Sequence, residues 1–281
     1  MLPASCDDRP VTRNLTPSAQ GVLRVKAGRV SFGPTINKTS TMYRFTLAMI
    51  FFGSMLFFSC HKHSDHPASG SCKVTGLQVK GNGFTENYVM GYRSDGKLST
   101  VQYSDGSTSF TRSFTYSGSM IIITITGTSP GIDTVFLNAN GDADHIVMHY
   151  GVNMFSEYTF TYDGNRQLTS STAYTAGGGT ITATYQYTNG DITQVDEPGG
   201  SFSYAYYTDK ASSMSDPEVL GQWVQFGVVY QKGRHLTKSS TAGSVTETLT
   251  YTFDESGKIT GGSQSSGGSD AMTFTYSYDC Q

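Results

Sequence analysis

Several residue groups in this 281-residue chain have types and spacings that could support chemistry. Gly127-Thr-Ser129-Pro-Gly131 matches the G-x-S-x-G pattern of a nucleophile elbow, which needs a strand turning sharply into a helix. Here the run Ile121 to Thr126 leads into a turn and then into a second strand, Asp133 to Leu137, so the motif reads as a hairpin loop. His145 and His149 are four apart, a spacing that brings two ligands together on a helix. Ile146, Val147 and Met148 between them favour a strand, on which the two rings stand about 13 Å apart, too far to share a metal ion. Asn138 to Asp144 has the alternating acid and amide rhythm of a calcium loop, but Gly141 is fourth instead of sixth and position twelve is His149 instead of Glu. That stretch therefore reads as a turn. Asp163, Asp191 and Asp254 are the carboxylates that an acid/base pair would draw on, and each falls where a hairpin turn already accounts for it. No catalytic residue, metal or cofactor is assigned.

The chain's best-defined signal is Met42 to Cys60, MYRFTLAMIFFGSMLFFSC. Arg44 supplies a basic start, and Phe45 to Phe58 form a 14-residue apolar segment, shorter than the span of about 20 that a bilayer requires. A cleaved signal peptide is expected over residues 42–59. The end of the segment resembles a lipobox, with Ser59 in place and Phe57 and Phe58 standing where smaller residues are commoner. The resemblance implies lipid attachment at Cys60, and two or more acyl chains give durable membrane anchoring. The alternative is a secreted protein with a conventional cleavage site. Residues 1–41 carry six of the nineteen basic residues and have no apolar periodicity; they read as a leader ahead of the true start at Met42, or as a disordered extension.

With Cys6 in the leader and Cys60 taken by lipid, Cys72 and Cys280 remain. In an oxidising compartment they are expected to form one end-to-end disulfide. Closing a 208-residue loop would stabilise by roughly 5 kcal/mol at most. Residues 60–281 hold 12 Lys or Arg against 20 Asp or Glu, a formal charge of −8. So acidic a chain argues against nucleic-acid binding, which needs clustered basic residues. Residues 60–71 form a lipidated flexible tether; His61, His63 and His66 within it lack the packed neighbours that orient metal ligands. The tether has no acidic cluster directly after the cysteine, which favours the periplasmic side over the cell surface. Residues 72–281 are long enough for one core and read as a single β domain.

That domain repeats one unit of about 23 residues: an aromatic-x-aromatic strand, a turn rich in Gly, Asp or Asn, and an aliphatic strand. Tyr158-Thr-Phe160-Thr-Tyr162 runs through Asp163-Gly164-Asn165 to Leu168, and Tyr185-Gln-Tyr187 runs through Asn189-Gly190 to Ile192. Tyr251-Thr-Phe253 runs through Asp254 to Gly257 and on to Ile259. The anchors Tyr92, Tyr116, Tyr162, Tyr187, Tyr230, Phe253 and Tyr278 are spaced by one or two such units. Large residues alternate with Thr or Ser, as in Met272-Thr-Phe274-Thr-Tyr276-Ser-Tyr278, a period of two that places an aromatic face opposite a hydroxyl face. Asn-Gly and Asp-Gly supply the positive φ angles of tight hairpins. Asp209 to Leu220 interrupts the pattern with room for one helical turn.

About eight hairpins, near sixteen strands, then form an all-β antiparallel meander that must curl, since a flat sheet so wide is unusual. Phe160 to Ser171, FTYDGNRQLTSS, resembles the tyrosine-aspartate repeats of bacterial Rhs-type shell proteins. The combination of lipoprotein signal, Tyr-rich hairpins and length is similar to a family of bacterial envelope lipoproteins of unknown function with a porin-like fold. That resemblance implies a curved or closed barrel-like sheet and brings no catalytic residues. Most strands sustain five to seven alternating residues, short of the 9 to 11 that a membrane-spanning strand needs, so a soluble barrel with its aromatic face inward is expected.

A wide barrel leaves interior space, and aromatic walls suit an apolar molecule or the flat face of a sugar. Trp223, Tyr162, Tyr187 and Tyr204 are the candidate ligand-binding residues, Trp223 being either a stacking platform at a barrel mouth or a core residue. The functional expectation is a membrane-tethered, non-enzymatic binder of a small apolar or glycan ligand. The alternatives are a structural or adhesive envelope module and a glycan-processing hydrolase.

Overall fold

The computed structural model describes residues 72–151, 154–231, 233–266 and 271–280. The leader, the signal at 42–59, the lipid attachment at Cys60 and the tether lie outside the described residues.

Sixteen strands run in chain order as β1 (Cys72–Gly81), β2 (Phe84–Tyr92), β3 (Leu98–Ser104), β4 (Ser109–Ser117), β5 (Met120–Gly127), β6 (Gly131–Leu137), β7 (Ala143–Gly151) and β8 (Met154–Tyr162), then β9 (Leu168–Thr175), β10 (Gly179–Thr188), β11 (Asp191–Glu197), β12 (Gly200–Ala211), β13 (His235–Ala242), β14 (Val245–Phe253), β15 (Ile259–Ser266) and β16 (Met272–Cys280). Each pairs antiparallel with its chain neighbours, and β1 pairs with β16 to close the barrel. The expected disulfide is present: Cys72 and Cys280 face each other at the seam with Cα atoms 4.0 Å apart. All sixteen strands and the bridge lie within residues 72–280, so this segment contains every pairing partner it needs.

The period of two is what closes the core. In β16, Phe274 and Tyr276 are buried while Thr273, Thr275 and Ser277 are exposed. In β10, Ala183 is buried between the exposed Thr182 and Thr184. Aromatic and aliphatic residues thus fill the inside, and hydroxyls coat the outside. Among the described residues only Val89, Ile132, Tyr174, Met214 and Phe253 are exposed large apolar side chains. That is the inverse of a lipid-spanning barrel, whose outer wall is an apolar band. Strands are 7 to 12 residues long, and most exceed the five to seven alternating residues read from the sequence.

Four connections share one five-residue turn. Arg93, Asn138, Asp163 and Asp254 each donate their backbone N–H to the carbonyl four residues on and accept from the N–H three residues on. The fourth residue of each turn has positive φ: Gly96, Gly141, Arg166 and Gly257. The Asp163-Gly164 reading is therefore corrected. Arg166, at φ 62°, takes the left-handed conformation in that turn, not Gly164. At Asn189-Gly190 both residues have positive φ, as expected of a two-residue hairpin.

The interruption after β12 is larger than the expected single turn. It is a ten-residue helix, α1 (Pro217–Phe226), inserted in the β12–β13 connection. Asp216 caps it by accepting from the Glu218 N–H at 3.1 Å, and Pro217 starts it where no N–H partner is needed. Gly227 ends it at φ 68°, with Phe114 so close that a Cβ would meet the ring at 2.9 Å. Val219, Leu220, Gln222, Val224 and Phe226 are buried. Tyr230 packs between Phe226 and Phe160 of β8, with ring centroids 5.8 and 4.7 Å away and the rings tilted. Thr237 of β13 donates to Glu218. Contacts from strands around the circumference place α1 inside the barrel, where side chains from the wall alone would not fill the space. Tyr230 is consequently not a strand anchor. The repeat unit there is β12 with β13, and α1 sits within its turn.

Candidate functional site

One end of the barrel carries the β2–β3 and β14–β15 turns, the β12–α1 connection and the disulfide end of the seam. Below it, beside α1, lies a cavity of about 570 Å³. Its floor is built by Trp223 and Leu220 of α1 with Val74, Tyr92, Leu236, Ile259 and Tyr278 from the wall. The Tyr92 hydroxyl donates to the Val74 carbonyl at 2.6 Å and is also paired with the Trp223 side chain. Burial pushes that phenol up to about 12, so it stays protonated. The Tyr278 hydroxyl donates to the Ile259 carbonyl and lies 2.8 Å from Ser215 Oγ. These bonds fix the rings of the floor.

The rim is cationic. Lys73 Nζ stands 5.6 Å from the Tyr92 ring centroid, Lys258 Nζ 4.6 Å from that of Tyr278, and Lys210 Nζ 5.4 Å from that of Phe253. Lys258 is also 3.3 Å from Asp254 and 3.6 Å from Cys280 Sγ, so the disulfide forms part of the same rim. Lys210 is 3.6 Å from Asp209, which lines the cavity too. Met214 and Phe253, two of the exposed apolar residues, complete the mouth.

Of the residues singled out from sequence, Trp223 lines the cavity; Tyr162, Tyr187 and Tyr204 do not. The Tyr162 and Tyr187 hydroxyls donate to the carbonyls of Ala143 and Leu168 at 2.7 and 3.0 Å, and Tyr204 is buried in the wall. Tyr92, Tyr278 and the three lysines were missed. Each belongs to a different strand end or turn, and only closure at the seam brings them together. The sequence clue was that Tyr92 and Tyr278 are repeat anchors on the strands next to the cysteines.

The interior also holds carboxyls away from the cavity. Glu218 accepts from Thr237 Oγ1 at 2.7 Å. Burial, and then the neighbouring carboxylates of Asp216 and Glu247, push its carboxyl well above the usual range. Glu247 accepts from Gln264 Nε2 at 3.1 Å and is likewise raised by burial. The two acids are electrostatic neighbours, but neither lines the cavity.

Asp163 and Asp254 serve their turns, accepting from the N–H groups of Asn165 and Gln167 and of Ser256 and Lys258. Asp191 departs from the turn reading. It is buried and accepts from the His235 N–H at 2.9 Å, with His235 Nδ1 2.6 Å away. His145 and His149 both lie on β7; His145 Nε2 is 2.8 Å from Glu157, and His149 Nδ1 is 2.9 Å from the Ile132 carbonyl. Ser129 sits in the hairpin loop between β5 and β6.

No protein-family model matches the chain, and no curated protein matches it. Among solved structures it is similar to a porin-like protein from Bacteroides uniformis, with a TM-score of 0.53 and 16% identity over 73% of this chain and 98% of that one. A porin-like protein from Bacteroides vulgatus gives a TM-score of 0.53 and 12% identity over 74% and 99% of the two chains. At these identities the likeness is one of fold: the chain shares the fold of these porin-like proteins.

Proposed function

We propose that this protein is a cell-envelope lipoprotein, anchored through Cys60, whose barrel binds a small apolar or glycan ligand in the cavity beside α1 without transforming it. The observation that carries this reading is the cavity itself. About 570 Å³ of space is floored by rings that hydrogen bonds hold in place, within the size range of small-molecule sites. Trp223, Tyr92 and Tyr278 offer faces on which an apolar body or a sugar ring can stack. The signal at 42–59 and the disulfide in the mature segment both support an exported protein. Closure of β1 on β16 removes the free edge that an adhesive strand-addition module would use. A glycan hydrolase needs two carboxyls flanking its substrate; Glu218 and Glu247 stand outside this cavity.

Native mass spectrometry of the exported, gently purified chain tests the binding reading. A retained non-covalent mass that is lost in a Trp223→Ala variant supports it, and a clean apo mass after exposure to envelope extracts counts against it. Incorporation of labelled fatty acid that disappears in Cys60→Ser tests the anchor.

A further inference from the structure

We propose that the ligand of this cavity is an amphiphilic organic anion, with its charged head at the lysine rim and its apolar or ring-shaped body on the aromatic floor. The inference rests on the binding reading above and adds the charge and polarity of the ligand.

Three observations point the same way. Residues 60–281 carry a formal charge of −8, yet Lys73, Lys210 and Lys258 converge on one opening, where Asp209 pairs with Lys210 and Asp254 with Lys258, which leaves a net charge of +1. An opening of net positive charge on an acidic molecule is the reverse of what its average composition would place there, and it favours an anion by charge complementarity. Each ammonium stands over an aromatic ring, Tyr92, Phe253 or Tyr278. In that position the alkyl stem covers apolar surface while the charge stays at the opening. Finally, Met214 and Phe253, exposed at 40% and 38%, are two of the five exposed large apolar side chains among the described residues, and both stand at this mouth. Exposed apolar side chains next to lysines at a cavity mouth match a ligand that is apolar along its length and negative at one end.

The experiment uses residues 71–281, which contain all sixteen strands and the disulfide, and two probes with the same phenylnaphthylamine body. Anilinonaphthalene sulfonate carries the anion, and N-phenylnaphthylamine is its neutral counterpart. Trp223, the only tryptophan, is the energy-transfer donor. Both probes should quench Trp223 with one saturable site. The sulfonate should bind more tightly and weaken as salt is raised, while the neutral probe stays constant. In Lys73→Gln/Lys210→Gln/Lys258→Gln the sulfonate should lose at least about tenfold in affinity and the neutral probe less than about twofold. If both probes bind alike, regardless of salt and of the lysines, the anion assignment falls while the binding reading survives. If neither quenches Trp223, the binding reading falls with it. Should the triple variant not fold, Lys73→Gln/Lys210→Gln and the salt dependence of the unmodified segment decide between the same outcomes.

Discussion

The Tyr162 hydroxyl donates to the main-chain carbonyl of Ala143 at 2.7 Å, pinning the end of β8 to the start of β7 across the open end of their hairpin. The same bond recurs from Tyr187 to Leu168, from Tyr251 to Thr237, from Tyr92 to Val74 and from Tyr278 to Ile259. Five of the eight hairpins are pinned this way at one rim, a role that phenylalanine could not fill at these five tyrosines. A Tyr162→Phe variant keeps the ring but leaves the Ala143 carbonyl without its partner. The expected cost is about 1–2 kcal/mol, a drop in melting temperature of about 3–6 °C, with probe binding to the cavity unchanged. Thermal unfolding followed by circular dichroism checks it; an unchanged midpoint would mean that water replaces the bond.

The strand period, the hairpin count and the disulfide were legible from sequence because each is local or arithmetical. Alternation of Thr with aromatics is visible within one strand, and two remaining cysteines have one way to pair. The helix was not legible. Pro217 to Phe226 lies in an interrupted repeat, and Trp223 and Phe226 read equally well as part of a strand; the Asp216 cap and Pro217 were the signals available. The cavity was legible only through Trp223. Its lysines come from β1, β12 and the turn before β15, and no spacing along the chain links Lys73, Lys210 and Lys258 until the barrel closes.

Arg166 holds a left-handed backbone at φ 62° where three equivalent turns have glycine, and its side chain grips Asp142 in the neighbouring turn through Nε at 2.9 Å and Nη2 at 2.5 Å. Asp142 is buried, with 6% side-chain exposure, so it depends on that pair. Arg166→Ala loses the pair and retains the backbone strain, whereas Arg166→Gly loses the pair alone. The alanine variant should therefore be less stable than the glycine variant by about 1 kcal/mol. Adding Asp142→Asn to Arg166→Gly should recover part of the loss by removing the stranded charge. Urea unfolding of the four proteins measures both effects; equal stability of the alanine and glycine variants would show that the turn relaxes.

The interior acids set a pH dependence. Burial raises Glu86, Asp133, Glu197 and Glu247, and burial with the nearby Asp216 and Glu247 carboxylates raises Glu218 most. A carboxyl raised in the folded state binds its proton more tightly there than in the unfolded chain. Its contribution is complete below the ordinary carboxyl range and is lost as pH rises through the raised folded value. The barrel should therefore be more stable near pH 5 than near pH 9, other titrations being matched by buffer controls. Glu218→Gln, whose amide oxygen can still accept from Thr237, should flatten that profile and raise stability at pH 9 by about 1 kcal/mol or roughly 3 °C. A variant that melts in parallel with the parent at both pH values would show that Glu218 is charged in the fold.

The Cys72–Cys280 bridge closes a loop of 208 residues and sits at the end of the β1–β16 ladder, where closure entropy and strand pairing act on the same seam. The ladder runs through eight residue pairs, from Cys72 opposite Cys280 to Lys80 opposite Thr273, so the seam has native hydrogen bonds without the bridge. Removing the bridge should therefore leave the barrel closed but raise the entropy of the unfolded chain, a loss of up to about 5 kcal/mol. Reduction, or Cys72→Ser with Cys280→Ser, should lower the melting temperature by about 10–20 °C while the far-ultraviolet spectrum at 20 °C stays that of a β barrel. Lys258 packs against both sulfurs and lines the cavity, so the same variant should weaken binding of an anionic probe more than of its neutral counterpart. A reduced protein that keeps its melting temperature would mean that the unfolded chain already holds its ends together, and the seam would then depend on the ladder alone.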